Sequence, residues 1–427
     1  MSQPSEAAPP PAVRTSAVGT SPTGRPPTST PAPRRPHRQV PVLWLALLAT
    51  PLAAGANATV LLLPEIARSL NTGTATASWL VTAFGWATAV GTPLMAGLLR
   101  RRGIHSTLRA ATALVAAGTL LIALAPWLPL ALVGRAAQAV GGAGLVTIAM
   151  SLAGSARRMG VITAGFGMLG AVGPLLGSFL GEVTSWRLAL SVSLVALVAV
   201  PVIARATPAG PAAPATGRFD ARGAALLVAL ATALVFIPRH PLPGAAVAVL
   251  AAVALIAHAR TRPDGFVPLP LVRNPVFLSS ALVVSALSTS YFALLYTVPR
   301  LIQSRTDWTT AALGTGQLVA LLTGSALSWL LAAASPRMSR RAVLTVLIAL
   351  GVLAPVIAVW APAAPLILLA AAIAIFTATG GNATLSGYAT GAADAGLRPT
   401  ALGLFNLCYQ LGGAFGPAIA VLLIPAG

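Results

Sequence analysis

Residues 160–182 read GVITAGFGMLGAVGPLLGSFLGE. Twenty-two residues pass before the first charge, Glu182. A helix needs about 20 residues to cross the hydrocarbon of a bilayer. Gly165, Gly167, Gly170, Gly173, Gly177 and Gly181 recur through the stretch, and Pro174 falls within it. Glycines at this density let helices approach closely in lipid, and a proline bends its helix. The pattern returns near the end of the chain. Gly170-Ala171-Val172-Gly173-Pro174 is echoed by Gly413-Ala414-Phe415-Gly416-Pro417. Arginine-rich turns repeat too: Arg100, Arg101 and Arg102 follow one apolar segment, and Arg337, Arg340 and Arg341 follow another. The expected fold is all-α and polytopic, with two pseudo-symmetric six-helix halves related by duplication.

Composition supports a membrane protein. Of 427 residues, 56% are apolar and 8% are charged, and mean hydropathy is +0.85. A soluble domain carries about 25% charged residues. The net charge is +20, and all 27 basic residues are Arg. Such a charge can signal nucleic-acid binding. Here the arginines lie between apolar runs, so they read as cytoplasmic loop charge, with no nucleic-acid partner. The lone Cys408 excludes an internal disulfide or a cysteine metal cluster and reads as inert packing.

Residues 1–38 are rich in Pro, Ser, Thr and Ala and read as a disordered cytoplasmic tail, not a signal peptide. Thirteen apolar segments follow, near 41–64, 77–99, 107–127, 129–154, 160–182, 187–205, 222–238, 243–259, 276–300, 310–334, 341–361, 364–390 and 399–425. With the tail inside, 21 arginines fall inside and five outside, and Arg135 is left within a segment. That asymmetry fixes the expected orientation in the cell membrane. The expected organisation is an N-terminal half over 39–206, a cytoplasmic linker over 207–221 and an inserted hairpin over 222–259. A cytoplasmic loop over 260–275 and a C-terminal half over 276–427 complete it. By this count the partner of segment six is missing after the last helix.

Several motifs carry mechanism. The first segment leaves through Thr59-Val60-Leu61-Leu62-Leu63-Pro64-Glu65-Ile66, and Ser78-Trp79-Leu80-Val81-Thr82-Ala83-Phe84 opens the second. Ala96-Gly97-Leu98-Leu99-Arg100-Arg101-Arg102-Gly103 follows that segment. Gly134-Arg135-Ala136-Ala137-Gln138-Ala139-Val140-Gly141-Gly142 lies in segment four, and Ser185-Trp186-Arg187 trails segment five. Arg218-Phe219-Asp220 leads into the hairpin, and Pro268-Leu269-Pro270-Leu271 leads out of it. Together these resemble the fourteen-helix drug:proton antiporter branch of the major facilitator superfamily, from about Pro41 to the end.

The resemblance implies roles. In such parallel-repeat transporters the substrate site lies near the midplane between the halves. Gly97, Arg100, Arg101, Arg102 and Gly103 would form the inside gate, although Arg100 stands where the family has Asp. The first-helix Asp of the family is replaced by Gly55, with Asn57 nearby. Gly170, Gly173, Pro174 and Gly177, with Gly413, Gly416 and Pro417, would form the contact on which the halves rock. The family links the arginine of segment four to proton transfer. From the residues themselves, Arg135 and Gln138 are three apart and share a helix face. Burying an Arg in lipid costs at least about 2.5 kcal/mol. Arg135 therefore meets a cavity or polar partner, or else snorkels to the outer surface.

The polar residues available to a cavity are Arg135, Gln138, Asn57, Tyr291, Gln317, Asn382, Tyr388, Asn406, Tyr409 and Gln410. Each Asn or Gln could equally join helices. The set is neutral with one positive charge, which suits a neutral or anionic amphiphile. Seven acids exist, none in mid-segment. Glu65 and Glu182 are the candidate proton carriers, or they are caps and surface charges. No cofactor or metal site is implied, and no arrangement suggests an enzyme. The expected activity is export of a small organic compound (drug, antibiotic or metabolite) by a monomer, with protons as the coupling ion by resemblance. The alternative is a facilitator-fold protein without coupling, either a uniporter or one with a lipid-handling or assembly role.

Overall fold

A computed structural model describes residues 40–207, 220–237 and 240–423. The tail over 1–38, most of the linker, and Arg218 and Phe219 lie outside the described residues. The described chain is helical throughout and contains no strand. α1 (Val42–Ala49) and α2 (Pro51–Ser69) meet at Thr50. Then come α3 (Thr74–Ala77), α4 (Trp79–Leu124), α5 (Leu128–Ala153), α6 (Ala156–Val183), α7 (Trp186–Leu190) and α8 (Val200–Ala206). A 3-10 stretch over Ser191–Ala199 joins α7 to α8. The hairpin is α9 (Ala221–Phe236) and α10 (Pro241–Thr261). A short α11 (Leu269–Arg273) precedes α12 (Pro275–Arg305), α13 (Thr310–Ala334), α14 (Arg340–Trp360), α15 (Ala364–Gly391) and α16 (Arg398–Leu423).

Among the described residues ten helices are long and apolar enough to cross a membrane, and α9 is shorter. Over the described residues the thirteen expected segments map onto helical structure: the first covers α1 and α2, the sixth covers α7, the 3-10 stretch and α8, and α4 holds two, while 238 and 424–425 lie outside the described residues. α4 has 46 residues, about twice what a bilayer takes. Gly103 breaks it with φ 75°, in the left-handed region that glycine enters without a Cβ clash. The turn of three arginines sits at that bend.

Small residues bring the helices together. A Cβ added to Gly173 would lie 2.7 Å from the Ala54 carbonyl oxygen, and one on Gly177 would lie 2.5 Å from that of Ala58. So α6 lies backbone to backbone on α2. The echo behaves alike: a Cβ on Gly416 would meet Phe292 Cβ at 2.4 Å, and Gly413 faces the same ring at 3.4 Å, which packs α16 on α12. The expectation that these glycines join the two halves is corrected here. Both contacts lie within a half, because the repeat copies each half's own packing. α6 also continues as one helix through Pro174.

The halves meet chiefly at two other seams, α6 with α13 and α15, and α16 with α4. In the first, a Cβ on Gly160 would lie 2.4 Å from Ala332 Cβ and 3.5 Å from Trp329. In the second, a Cβ on Gly403 would lie 2.5 Å from Ala96 Cβ and 3.3 Å from Pro93. Gly403 follows Gly160 by 243 residues, the interval that separates Gly413 from Gly170. Trp329 and Ala332 follow Pro93 and Ala96 by 236. The seams are therefore two copies of one contact. Both lie at the end of the bundle that carries Arg100, Arg157, Arg337 and Arg398, called below the arginine-rich end.

Candidate functional site

The second leg of α4 crosses α5 at two glycines. A Cβ on Gly118 would lie 2.6 Å from the Gly134 oxygen, and one on Gly134 would lie 2.8 Å from the Gly118 oxygen. This crossing presses Gln138 against Thr119 and turns Arg135 toward α2. Arg135 is only 1% exposed, so it does not snorkel. Its Nη1 donates to Gln138 Oε1 at 3.1 Å, and its Nη2 donates to Thr59 Oγ1 at 2.9 Å. The same nitrogen reaches the carbonyls of Gly55 and Ala56 at 3.3 and 3.4 Å. The guanidinium carbon lies 4.3 Å from the centre of the Phe84 ring. Gln138 Nε2 in turn donates to Thr119 Oγ1 at 2.8 Å and to the Leu190 carbonyl at 3.1 Å.

Arg135 thus gathers α2, the first leg of α4 and α5, and Gln138 extends the network to the second leg of α4 and to α7. The partners of Arg135 are neutral, and no carboxylate is among them. Four acceptors and a ring face offset part of the desolvation cost of a charge in lipid. Nε of Arg135 has no hydrogen-bond partner. Spacing made the Arg–Gln pair legible. Phe84, Thr59 and Thr119 were not, because they come from other helices.

The remaining polar residues separate. Asn57 donates to the Gly170 carbonyl at 2.8 Å, and Gln317 donates to that of Leu295 at 3.2 Å. Each joins two helices. Tyr409 accepts at its backbone oxygen from Ser288 Oγ at 2.7 Å, and Tyr291 lies against Phe292 with centroids 4.8 Å apart. Gln410 and Tyr388 are half-buried in α16 and α15. Asn382 Oδ1 and Asn406 Nδ2 are buried without a hydrogen-bond partner. Each shares a helix face with a contact between the halves: Asn382 with Thr379, which meets Gly167 of α6, and Asn406 with Gly403.

The two acids occupy helix ends. Glu65 Oε1 accepts from the Trp186 backbone N–H at 3.3 Å, at the start of α7. A carboxylate is stabilised there by the exposed N–H groups of the helix terminus. Glu182 is exposed, with Ser178 Oγ 3.5 Å away. Among the described residues no group of three His, Cys, Asp or Glu could hold a metal.

The arginine turn lies at the second seam. Arg100 Nη1 donates to Thr400 Oγ1 of α16 at 3.4 Å. Phe266, from the loop after α10, packs on Gly97: a Cβ there would lie 2.7 Å from its ring. Asp220, at the start of α9, accepts from the N–H of Gly223 and of Phe266, each at 2.9 Å, and pairs with His258 Nε2 at 2.7 Å. Burial raises the carboxyl pKa, but the two backbone donors and His258 outweigh it and hold it below its ordinary value. With a reference pKa of about 3.9, Asp220 is charged at neutral pH. Its stabilisation is present above about pH 4 and is lost as pH falls through the lowered value. The histidine and the phenylalanine were missed in the sequence, since nothing in their spacing links them to Asp220.

Residues 43–417 match the family described as Major Facilitator Superfamily. The chain belongs to this superfamily. It is a family of transporters, not of enzymes. The chain is 32% identical over 173 residues to the uncharacterized MFS-type transporter YfiU of Bacillus subtilis, covering 39% of this chain and 33% of that protein. It is 30% identical over 281 residues to a lincomycin resistance protein of Streptomyces lincolnensis, covering 60% of this chain and 58% of that one. The chain thus spans about a third of the first relative and under two thirds of the second. Among solved structures it resembles the human organic anion transporter MFSD10 (TETRAN), with TM-score 0.64 and 19% identity over 92% of this chain and 95% of that one. It also resembles the proton:xylose symporter XylE, with TM-score 0.59 and 13% identity over 90% and 88%. These two likenesses concern the fold.

Proposed function

We propose that this superfamily member is a secondary active exporter of the drug:proton antiporter branch, working by alternating access in the cell membrane. The arginine-rich end faces the cytoplasm. The observation that carries this reading is the pair of related seams at that end. Two copies of one contact, Gly160 on Ala332 and Gly403 on Ala96, hold the two halves together at that end. A transporter that rocks needs paired contacts of this kind that close and part as a unit. Arg135 and Gln138 line or tune the path, and Asn382 and Asn406 offer unmet hydrogen bonds beside it. The likeness to a lincomycin resistance protein favours a drug or antibiotic as cargo. The neutral partners of Arg135 favour a neutral or anionic amphiphile over a cation. Proton coupling rests on the resemblance, with Glu65 and Glu182 as candidate carriers.

The test is a toxicity panel in an efflux-deficient host, comparing the parent with Arg135→Ala at matched expression. Protection that the variant loses, and that an uncoupler abolishes, is the expected result. No protection against any compound would sink the drug-export reading. The acids at helix ends favour one other reading, a uniporter without coupling. That reading expects transport unaffected by the uncoupler.

A further inference from the structure

The two seams are copies, but they are not closed alike. At the α6–α13 seam the ring is local: Trp329 of α13 covers Gly160, and the Arg157 guanidinium lies 5.6 Å from its ring centre. At the α16–α4 seam the position related to Trp329 is Pro93, which carries no aromatic ring. The ring at that seam is Phe266, which belongs to neither half. It is 8% exposed and lines a cavity of about 20 Å³ with Gly97 and Arg100 of α4 and Thr400 and Leu404 of α16.

Phe266 is held from behind. One buried carboxylate, Asp220, caps α9 through Gly223, pairs with His258 near the end of α10 and accepts the backbone N–H of Phe266. Gly265 makes room for this, since a Cβ there would lie 2.5 Å from Asp220 Oδ2. Both ends of the inserted hairpin are thus tied to the backbone that presents the ring. Trp86 Nε1 of α4 donates to Thr232 Oγ1 of α9 at 2.9 Å, so the hairpin is also fixed along its length to the helix that Phe266 blocks.

We propose that Phe266 is a gating residue of the transport cycle and Asp220 its positioning residue, so that the inserted hairpin supplies the part of the gate that α4 lacks. The α16–α4 seam parts at the arginine-rich end only when the ring leaves the Gly97 notch. This rests on the alternating-access reading, but its test needs neither cargo nor coupling ion.

Full-length protein is placed in phospholipid nanodiscs, with Cys408→Ser as background and Thr400→Cys as the single reporter. The rate of labelling by a charged maleimide is measured. Phe266→Ala is expected to raise the rate at least tenfold, and Phe266→Leu much less. Gly97→Ala, which displaces the ring without removing it, is expected to raise the rate too, and it serves if Phe266→Ala does not fold. Asp220→Asn is expected to raise the rate in the parent and to add nothing in Phe266→Ala, because it acts through the ring. Rates within twofold of the parent for Phe266→Ala or Gly97→Ala would overturn the proposal. So would an additive effect of Asp220→Asn. An exporter whose labelling ignores Phe266 would refute the gate alone. A gate that responds in a chain that exports nothing would refute the cargo reading alone.

Discussion

Arg135 shows how much one residue can be asked to do without a counter-ion. Its hydrogen bonds reach four oxygens, all neutral. A charge buried without an opposite charge carries a desolvation penalty that neutral partners offset only in part, so its removal costs less stability than its hydrogen bonds suggest. Arg135→Met is therefore expected to keep the thermal midpoint within a few degrees of the parent while export falls at least tenfold. Unfolding in detergent and efflux in cells would measure the two. A drop of the midpoint by ten degrees or more, with efflux lost in proportion, would make Arg135 a structural tie instead. The sequence held half of this site. Helical spacing puts Arg135 and Gln138 on one face, but the oxygens of α2 and the Phe84 ring arrive through tertiary packing, which no local pattern encodes.

Glycines on a single element can serve opposite purposes, and their neighbours tell them apart. Along α6, Gly177 faces backbone: a Cβ would lie 2.5 Å from the Ala58 oxygen and 2.8 Å from its Cα. Neither atom can yield without moving α2. Gly177→Ala is expected to destabilise the fold by about 1–3 kcal/mol, as overpacking does, and to lower the thermal midpoint. Gly160 faces the side chain of Ala332 on the other half. That contact can relax by parting the seam. Gly160→Ala is expected to leave the midpoint nearly unchanged and to speed maleimide labelling of a cysteine at Ser335, which is buried beside the seam. Reversal of the two outcomes would mean that the α6–α13 contact is a fixed joint. At this scale the thirteen apolar runs were legible because length and hydropathy suffice. The faces of α6 were misassigned, since glycine spacing shows that a helix packs closely but not against which neighbour.

Over the whole molecule, charge is the scarce resource, and acids most of all. Seven acids stand in 427 residues, and Asp220 is already engaged in a neutral-pH clasp far from Arg135 in sequence. An antiporter must carry its proton on a group linked to the cargo path. Glu65 meets that condition better than Glu182. It is half-buried on α2, the helix whose residues 55–59 take the Arg135 hydrogen bonds. A Cβ on Gly181 of α6 would lie 3.0 Å from its Oε2, so it sits where the two helices meet. Gln in its place could still accept the Trp186 N–H, so Glu65→Gln removes charge and leaves the cap. Under proton antiport, Glu65→Gln is expected to lose the uncoupler-sensitive part of efflux while downhill exchange of cargo continues. Glu182→Gln, at an exposed site, is expected to change efflux less than twofold. Efflux that responds to the uncoupler in both variants would put the proton elsewhere. Efflux that ignores it in the parent as well would leave a two-seam carrier that moves cargo only down its gradient.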